Sequence, residues 1–367
     1  MIMPNNLKRQ YSLHADEYRK KAIEVLDSGW YILGKEVSAF EEEWAEYIGA
    51  KYCVGLASGL DALWIAFRLL DVKEGDEVIV CANAYIACVM GISINGATPV
   101  FVEPDIYDNI DADKIEAAVT SRTKAILAVH LFGQACDMTK IMNIAHKYDL
   151  KVVEDCAQSH GNKWNDKTVG TFGDVGCFSF YPSKGCGAFG DAGCIVTDDE
   201  ELAQKFKVFR NYGSRIRYQN EVVGANSRLD ELQAGLLRVK LKHLDEFNRE
   251  RCDIAERYLK EIVNPVVRMP QIRPGADSTW HQFVVHVQNG KRDDLIDYLK
   301  EREIGTIIHY PIPPHLSEAY SYLGKKKGDY PIAEQYAGEV LSLPMYNGMT
   351  QQEQTEVINT INEFKGE

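Results

Sequence analysis

Short apolar runs recur along the first half of the chain, and a helix-like segment follows most of them. The runs are Cys53–Ala57 (CVGLA), Glu77–Ala82 (EVIVCA), Pro99–Pro104 (PVFVEP), Lys124–Leu131 (KAILAVHL) and Lys151–Ala157 (KVVEDCA). They are apolar at successive positions, as in strands buried on both faces. Such strands, alternating with helices, predict an α/β fold: a mostly parallel sheet in the middle of three layers. Ligands of these folds bind beyond the carboxyl ends of the strands. With 367 residues the chain has room for a large domain of this kind and a smaller one. The expected division is 1–250 for the α/β part and 251–367 for a small α+β part.

Other segments fill in around this rhythm. A helix is expected from Tyr11 to Ser28, closed by Gly29, and another from Glu36 to Ile48, with Phe40, Trp44 and Tyr47-Ile48 as its apolar stripe. A further helix is expected to start at Asp111. One long helix is expected from Leu229 to Ile262, ended by Pro265. Beyond it the pattern predicts strands at Thr279–Val287 and Gly305–His315, a helix at Asp293–Glu303, and two closing helices.

The formal net charge of −13 argues against a general affinity for nucleic acid or an anionic membrane. The nine cysteines include no C-x-x-C pair, and several lie in the apolar runs, as buried free thiols of a reducing compartment do. The N-terminal stretch MIMPNNLKRQY lacks an apolar signal core, and no apolar run is long enough to span a bilayer. A cytoplasmic protein with no membrane or nucleic-acid partner is expected.

One stretch stands out. Cys177–Pro182 (CFSFYP) and Gly193–Asp198 (GCIVTD) read as strands on either side of a glycine-rich bend, and Lys184 stands at the start of that bend. Pro182 cannot donate to a ladder, so the first strand stops there. From this stretch alone a solvated loop lysine remains an equal reading. Other residues offer what a bound pyridoxal phosphate requires: an amine for its aldehyde, a carboxylate for its ring nitrogen, helix-start amides for its phosphate and a flat side chain over its ring. Lys184 is the amine. Asp155 closes a strand, Ser58-Gly59 precedes a helix, and Tyr85 can stack. Singly, each has a plainer reading as cap, turn or core residue.

The order of these residues, and the segments GWYILGKEVSAFEEEWAEYIG, ASGLDAL, GDEVIVCANAYIA, GATPVFVEPD, AVHLFGQACDM, VVEDCAQSHG, GDVGCFSFYPSK and GANSRLDELQAG, span nearly the whole chain. It resembles the DegT/DnrJ/EryC1/StrS sugar aminotransferases, which have the aspartate-aminotransferase fold of type I pyridoxal-phosphate enzymes. The resemblance implies that Lys184 forms the Schiff base, Asp155 pairs with the pyridine nitrogen, Gln158 bonds the ring hydroxyl and Tyr85 stacks on the ring. It implies a phosphate site made by Ser58, Gly59, Leu60 and Ser179, with Asn226 reaching the cofactor of a neighbouring subunit. That role requires a homodimer with composite sites. Tyr181, Tyr212, Arg215, His309 and Tyr310 are the candidates for substrate contacts, with His315 a further one. The basic stretch KFKVFRNYGSRIRY is a candidate for the nucleotide diphosphate, and equally a solvated helix end.

Two departures from the family pattern are visible. Leu60 stands where threonine is usual, and Gly185-Cys186 stand where Asn-Leu is usual. A lysine at 184 points away from the dehydratases of the family, which carry histidine there. The FYPSK, QSHG and IHYPIPPH segments are similar to enzymes that aminate C3 of dTDP-3-oxo-6-deoxyhexoses, with L-glutamate as donor. The alternative is amination at C4 of a nucleotide-linked 4-keto-6-deoxy sugar.

Overall fold

The apolar runs all become strands of one sheet. In the computed structural model, which describes residues 1–366, these are β1 (Tyr52–Leu56), β2 (Glu77–Cys81), β3 (Thr98–Val102), β4 (Thr123–Val129), β5 (Lys151–Asp155), β6 (Val175–Ser179) and β7 (Gly193–Thr197). Their spatial order is β1-β7-β6-β5-β4-β2-β3. Strands β2 to β6 pair in parallel, whereas β7 is antiparallel to both β6 and β1. The exception follows from the connection: β6 and β7 are joined by the glycine bend with no helix, and a parallel return needs a crossover. The carboxyl ends of β1, β5 and β6 therefore lie on one edge of the sheet with the start of β7.

Strand alternation explains the CFSFYP segment. Phe178 and Phe180 point to one face, where their rings meet the indole of Trp44 edge-on at 5.3 and 4.8 Å between centroids. Ser179, between them, points to the other face. Trp44 lies on the helix Lys35–Ile48 and is fully buried with Phe40, so that helix clamps the sheet beneath the bend.

A second core gathers Ile254, Tyr258, Phe283, Leu341 and Val357, and Ile2 joins it from the other end of the chain. Its small antiparallel sheet consists of β8 (Val267–Arg268), β9 (Phe283–Val287) and β10 (Val340–Leu343). No helix among the described residues is long and apolar enough to cross a membrane.

Several expected elements differ. The helix expected from Tyr11 to Ser28 is two, α1 (Leu7–Leu13) and α2 (Ala15–Ser28), broken at His14. The long helix from Leu229 is also two, α3 (Glu231–Leu241) and α4 (Leu244–Glu261), broken at His243. The breaks face each other: the two imidazoles stack 3.5 Å apart, and Glu17 Oε1 lies 3.2 Å from His14 Nδ1 and 3.1 Å from His243 Nε2. Local periodicity has no means of reporting such a contact. The helix expected at Asp111 shrinks to one turn, Ala112–Ile115. The strand expected to start at Thr279 starts at Phe283. No strand forms at Gly305–His315; one bridge joins Ile307 to Ser342, and three prolines downstream remove the donors a ladder needs.

Candidate active site

The bend after β6 is held from several sides. The backbone N–H of Lys184 donates to Tyr181 O at 2.8 Å, and that of Ala188 to Phe180 O at 2.7 Å. His160 Nδ1 accepts from the N–H of Cys186 at 3.0 Å, and Lys240 Nζ donates to Gly187 O at 3.1 Å. A Cβ on Gly187 would lie 2.3 Å from the carbonyl oxygen of Pro182, so this turn admits glycine alone. Gly185 has no such restriction: a Cβ there meets its nearest atom at 3.6 Å. Cys186 is fully buried.

The Lys184 side chain sits among groups that disfavour its charge. Loss of hydration lowers its ammonium to about 8, and the negative charge of Asp155 opposes the fall. Three histidines nearby are kept neutral. Burial and then the Lys184 charge bring His160 down to about 3 and His309 to about 4, and they hold His281 well below the usual imidazole range. In keeping with a neutral ring, His309 Nε2 accepts from Gln282 Nε2 at 2.9 Å, and its Nδ1 lies 2.7 Å from Ser342 Oγ.

Asp155 ends β5 and is 6% exposed. Its Oδ1 accepts from the N–H of Ala157 and its Oδ2 from the thiol of Cys88, both at 3.0 Å. Gln158 Oε1 accepts from the N–H of Phe132 at 2.6 Å, and its Nε2 donates to the Tyr310 hydroxyl at 3.1 Å. Tyr310 lies 4.9 Å from Tyr85, ring to ring at 30°. Burial and the neighbouring Cys88 push the Tyr310 phenol well up, so it stays protonated. Tyr85 caps the helix Ile86–Ser93 and is 46% exposed, a ring edging the pocket rather than packed into the core.

The third wall is the start of the helix Gly59–Leu69. Ser58 is its N-cap and its Oγ accepts from the N–H of Asp61 at 3.1 Å. A Cβ on Gly59 would lie 2.4 Å from Ser179 Cβ, and one on Gly193 2.4 Å from the Ser58 carbonyl oxygen. Two glycines thus let β6, β7 and the helix start converge with their amides and the Ser58 and Ser179 hydroxyls on one spot. This is a cradle suited to a phosphate. With Lys184, Asp155 and Gln158 beside it, the residues present fit pyridoxal phosphate.

Sequence reasoning missed Cys88, His160, His281 and Lys240. They are scattered along the chain, and only His160 lies in a quoted segment, VVEDCAQSHG, where nothing singles it out.

Other candidates lie elsewhere. Tyr181 is exposed at the root of the bend. Tyr212 and Asn226 bond each other, Asn226 Nδ2 donating to the Tyr212 hydroxyl at 2.9 Å, and the Arg228 guanidinium lies over the Tyr212 ring. Arg215 sits on the exposed hairpin Ser214–Ile216/Gln219–Asn220, 3.4 Å from Glu221. Ser227, which follows Asn226, ties the segment to the start of the helix Gly59–Leu69, donating to Asp61 Oδ2 at 2.7 Å and accepting from the N–H of Ala57. Within the basic stretch, Arg210 is buried and donates to Glu41 and to the carbonyl of Gly55, so it holds β1 rather than facing solvent. His315 is also structural: it is buried, with Nε2 3.0 Å from Glu334.

Fold and site define a lysine-centred α/β enzyme of the aminotransferase class. The chain belongs to the DegT/DnrJ/EryC1/StrS aminotransferase family, whose model matches residues 13–362. It is 51% identical over 365 residues to the dTDP-3-amino-3,6-dideoxy-alpha-D-galactopyranose transaminase of Aneurinibacillus thermoaerophilus, covering 99% of each chain. Its fold superposes with a TM-score of 0.96 on Streptomyces venezuelae DesV solved in complex with a ketimine intermediate, at 42% identity and with 99% and 98% of the two chains covered. It matches NtdA of Bacillus subtilis, solved with bound cofactor PMP, at a TM-score of 0.90 and 31% identity, covering 97% and 83%.

Proposed function

We propose that this protein is a pyridoxal-phosphate-dependent transaminase. It transfers the amino group of L-glutamate to C3 of a dTDP-3-oxo-6-deoxyhexose, giving a dTDP-3-amino-3,6-dideoxyhexose of the Qui3N or Fuc3N type and 2-oxoglutarate. The observation that carries this reading is that Lys184, Asp155 and the cradle of Ser58, Gly59 and Ser179 gather at one edge of the sheet. The similarity to the A. thermoaerophilus transaminase supports the C3 position and the dTDP-sugar.

When bound, pyridoxal phosphate supplies an aldehyde that takes up an amino group and a ring that accepts an electron pair. The chain does the rest. With its ammonium near 8, Lys184 is available as a neutral amine in a useful fraction at physiological pH, and its Nζ can take a proton from a carbon and return it. Asp155, oriented by two donors, keeps a proton on the ring nitrogen. Gln158 would bond the ring hydroxyl, Tyr85 would stack on the ring, and Ser58, Gly59, Leu60 and Ser179 would hold the phosphate. Tyr181, His309 and Tyr310 line the sugar side. Tyr212 and Arg215 are further candidates for substrate contacts, and Asn226 would reach the cofactor of a second copy in a cytoplasmic homodimer. In this reading 1–250 binds the cofactor and 251–367 forms the smaller unit.

The test is direct. Enzyme, cofactor and L-glutamate are incubated with either a 3-keto or a 4-keto dTDP-sugar, and the product is identified by NMR. The 3-amino sugar is expected, and amination of the 4-keto sugar alone overturns the assignment of the carbon.

A further inference from the structure

The turn that presents Tyr85 also presents a thiol. Cys88 lies in the first turn of the helix Ile86–Ser93, and its N–H donates to Tyr85 O at 2.9 Å. Its side chain is buried and ends 3.0 Å from Asp155 Oδ2. The only other hydrogen bond to the carboxylate among the described residues comes from the N–H of Ala157, on Oδ1. Both donors are neutral, and the carboxylate has lone pairs left for one further donor. The groups facing Cys88 are Asp155 from β5, Lys184 from the bend and Tyr310 from the segment before Pro311.

We propose that Cys88 is a positioning residue for Asp155: its thiol fixes the carboxylate rotamer and sets how strongly Oδ2 holds the proton on the cofactor ring nitrogen. This rests on the reading that Asp155 faces that nitrogen. Burial, and then the Asp155 charge, push the thiol well above its ordinary value, so it stays protonated and acts only as a donor. A thiol donates weakly and a hydroxyl more strongly. Serine at 88 therefore draws more charge from Oδ2 and weakens its hold on the ring proton. Alanine draws none and strengthens it. A firmly protonated ring pulls electrons from the nitrogen linking Lys184 to the cofactor and makes that nitrogen less basic.

The test uses the holoenzyme and reads the pH midpoint of the cofactor's visible absorbance band. Cys88→Ala is expected to lower the midpoint and Cys88→Ser to raise it, each by about half a unit, the size of one weak hydrogen bond. Alanine and serine are close in size, so a packing effect would move both variants the same way. Shifts of the same sign, or none in either variant, overturn the proposal. Asp155→Asn is run beside them. If it leaves the midpoint in place, the ring-nitrogen role of Asp155 falls instead; if it moves the midpoint while both Cys88 variants do not, only the thiol's role falls.

Discussion

The pocket around Lys184 and the segment from Tyr212 to Arg228 are built differently. In the pocket, the polar groups around Lys184 have partners within the chain: Asp155 has Ala157 and Cys88, Gln158 has Phe132 and Tyr310, and the bend has His160 and Lys240. In the segment, Tyr212 and Asn226 bond mainly each other, and Tyr218 and Val223 are 84% and 96% exposed. The first is organised before any ligand arrives, which is what a site must be to act by electrostatics and orientation. The second exposes apolar surface that a second subunit would cover.

The largest effect is expected in the pocket. Lys184→Ala should remove the cofactor's lysine-linked absorbance and lower turnover by at least ~10²–10⁴-fold, the range for a positioned acid–base group. Retained turnover would break the contrast at its strongest point. Next comes Asp155→Asn, which should keep the fold, by circular dichroism, and lower single-turnover rates by roughly 10²-fold. In the segment, Asn226→Ala should weaken cofactor binding by about tenfold, the worth of one lost charge-assisted hydrogen bond. Co-expression with Lys184→Ala sharpens the comparison: if sites are shared, mixed dimers contain one intact site, which binds cofactor with the affinity that Asn226→Ala has lost and turns over as Lys184→Ala does not.

A smaller signature comes from pH. Lys184 and Lys240 both lie near 8 in the folded chain, against 10.5 when exposed. Between these values the unfolded chain binds protons that the folded one has released, so the stability of the cofactor-free protein from these two groups rises with pH from about 8 to 10.5. Thermal unfolding across that window should show a shallower rise for Lys240→Met. The smallest effect concerns Leu60. Leu60→Thr adds a hydroxyl beside Ser58 and should tighten cofactor binding by a few-fold, measured by equilibrium dialysis.

Much of this was legible in the order of residues. Apolar runs predicted the sheet, because a strand buried on both faces must be apolar throughout. The positions of Asp155, Ser58-Gly59 and Lys184 at strand ends and helix starts were legible too, and their joint order, with the family resemblance, made them candidates. The residues that tune them were not legible. Cys88 is one apolar residue in an apolar helix until β5 places Asp155 against it. His160 and Lys240 are unremarkable until the bend folds between them. Arg210 looked like a free cation, and only the fold shows it holding β1. The breaks at His14 and His243 escape any single-helix pattern because each is stabilised by the other.

The sequence alone determined most of the elements and the edge of the sheet where the strand ends gather, and it placed Lys184 and Asp155 at that edge. These depend on local periodicity and on backbone rules for glycine and proline, which act over a few residues. The tertiary structure alone decided the lowered basicity of Lys184, the neutrality of the three histidines and the second donor on Asp155. Desolvation and charge act through space, and the groups responsible are far apart along the chain.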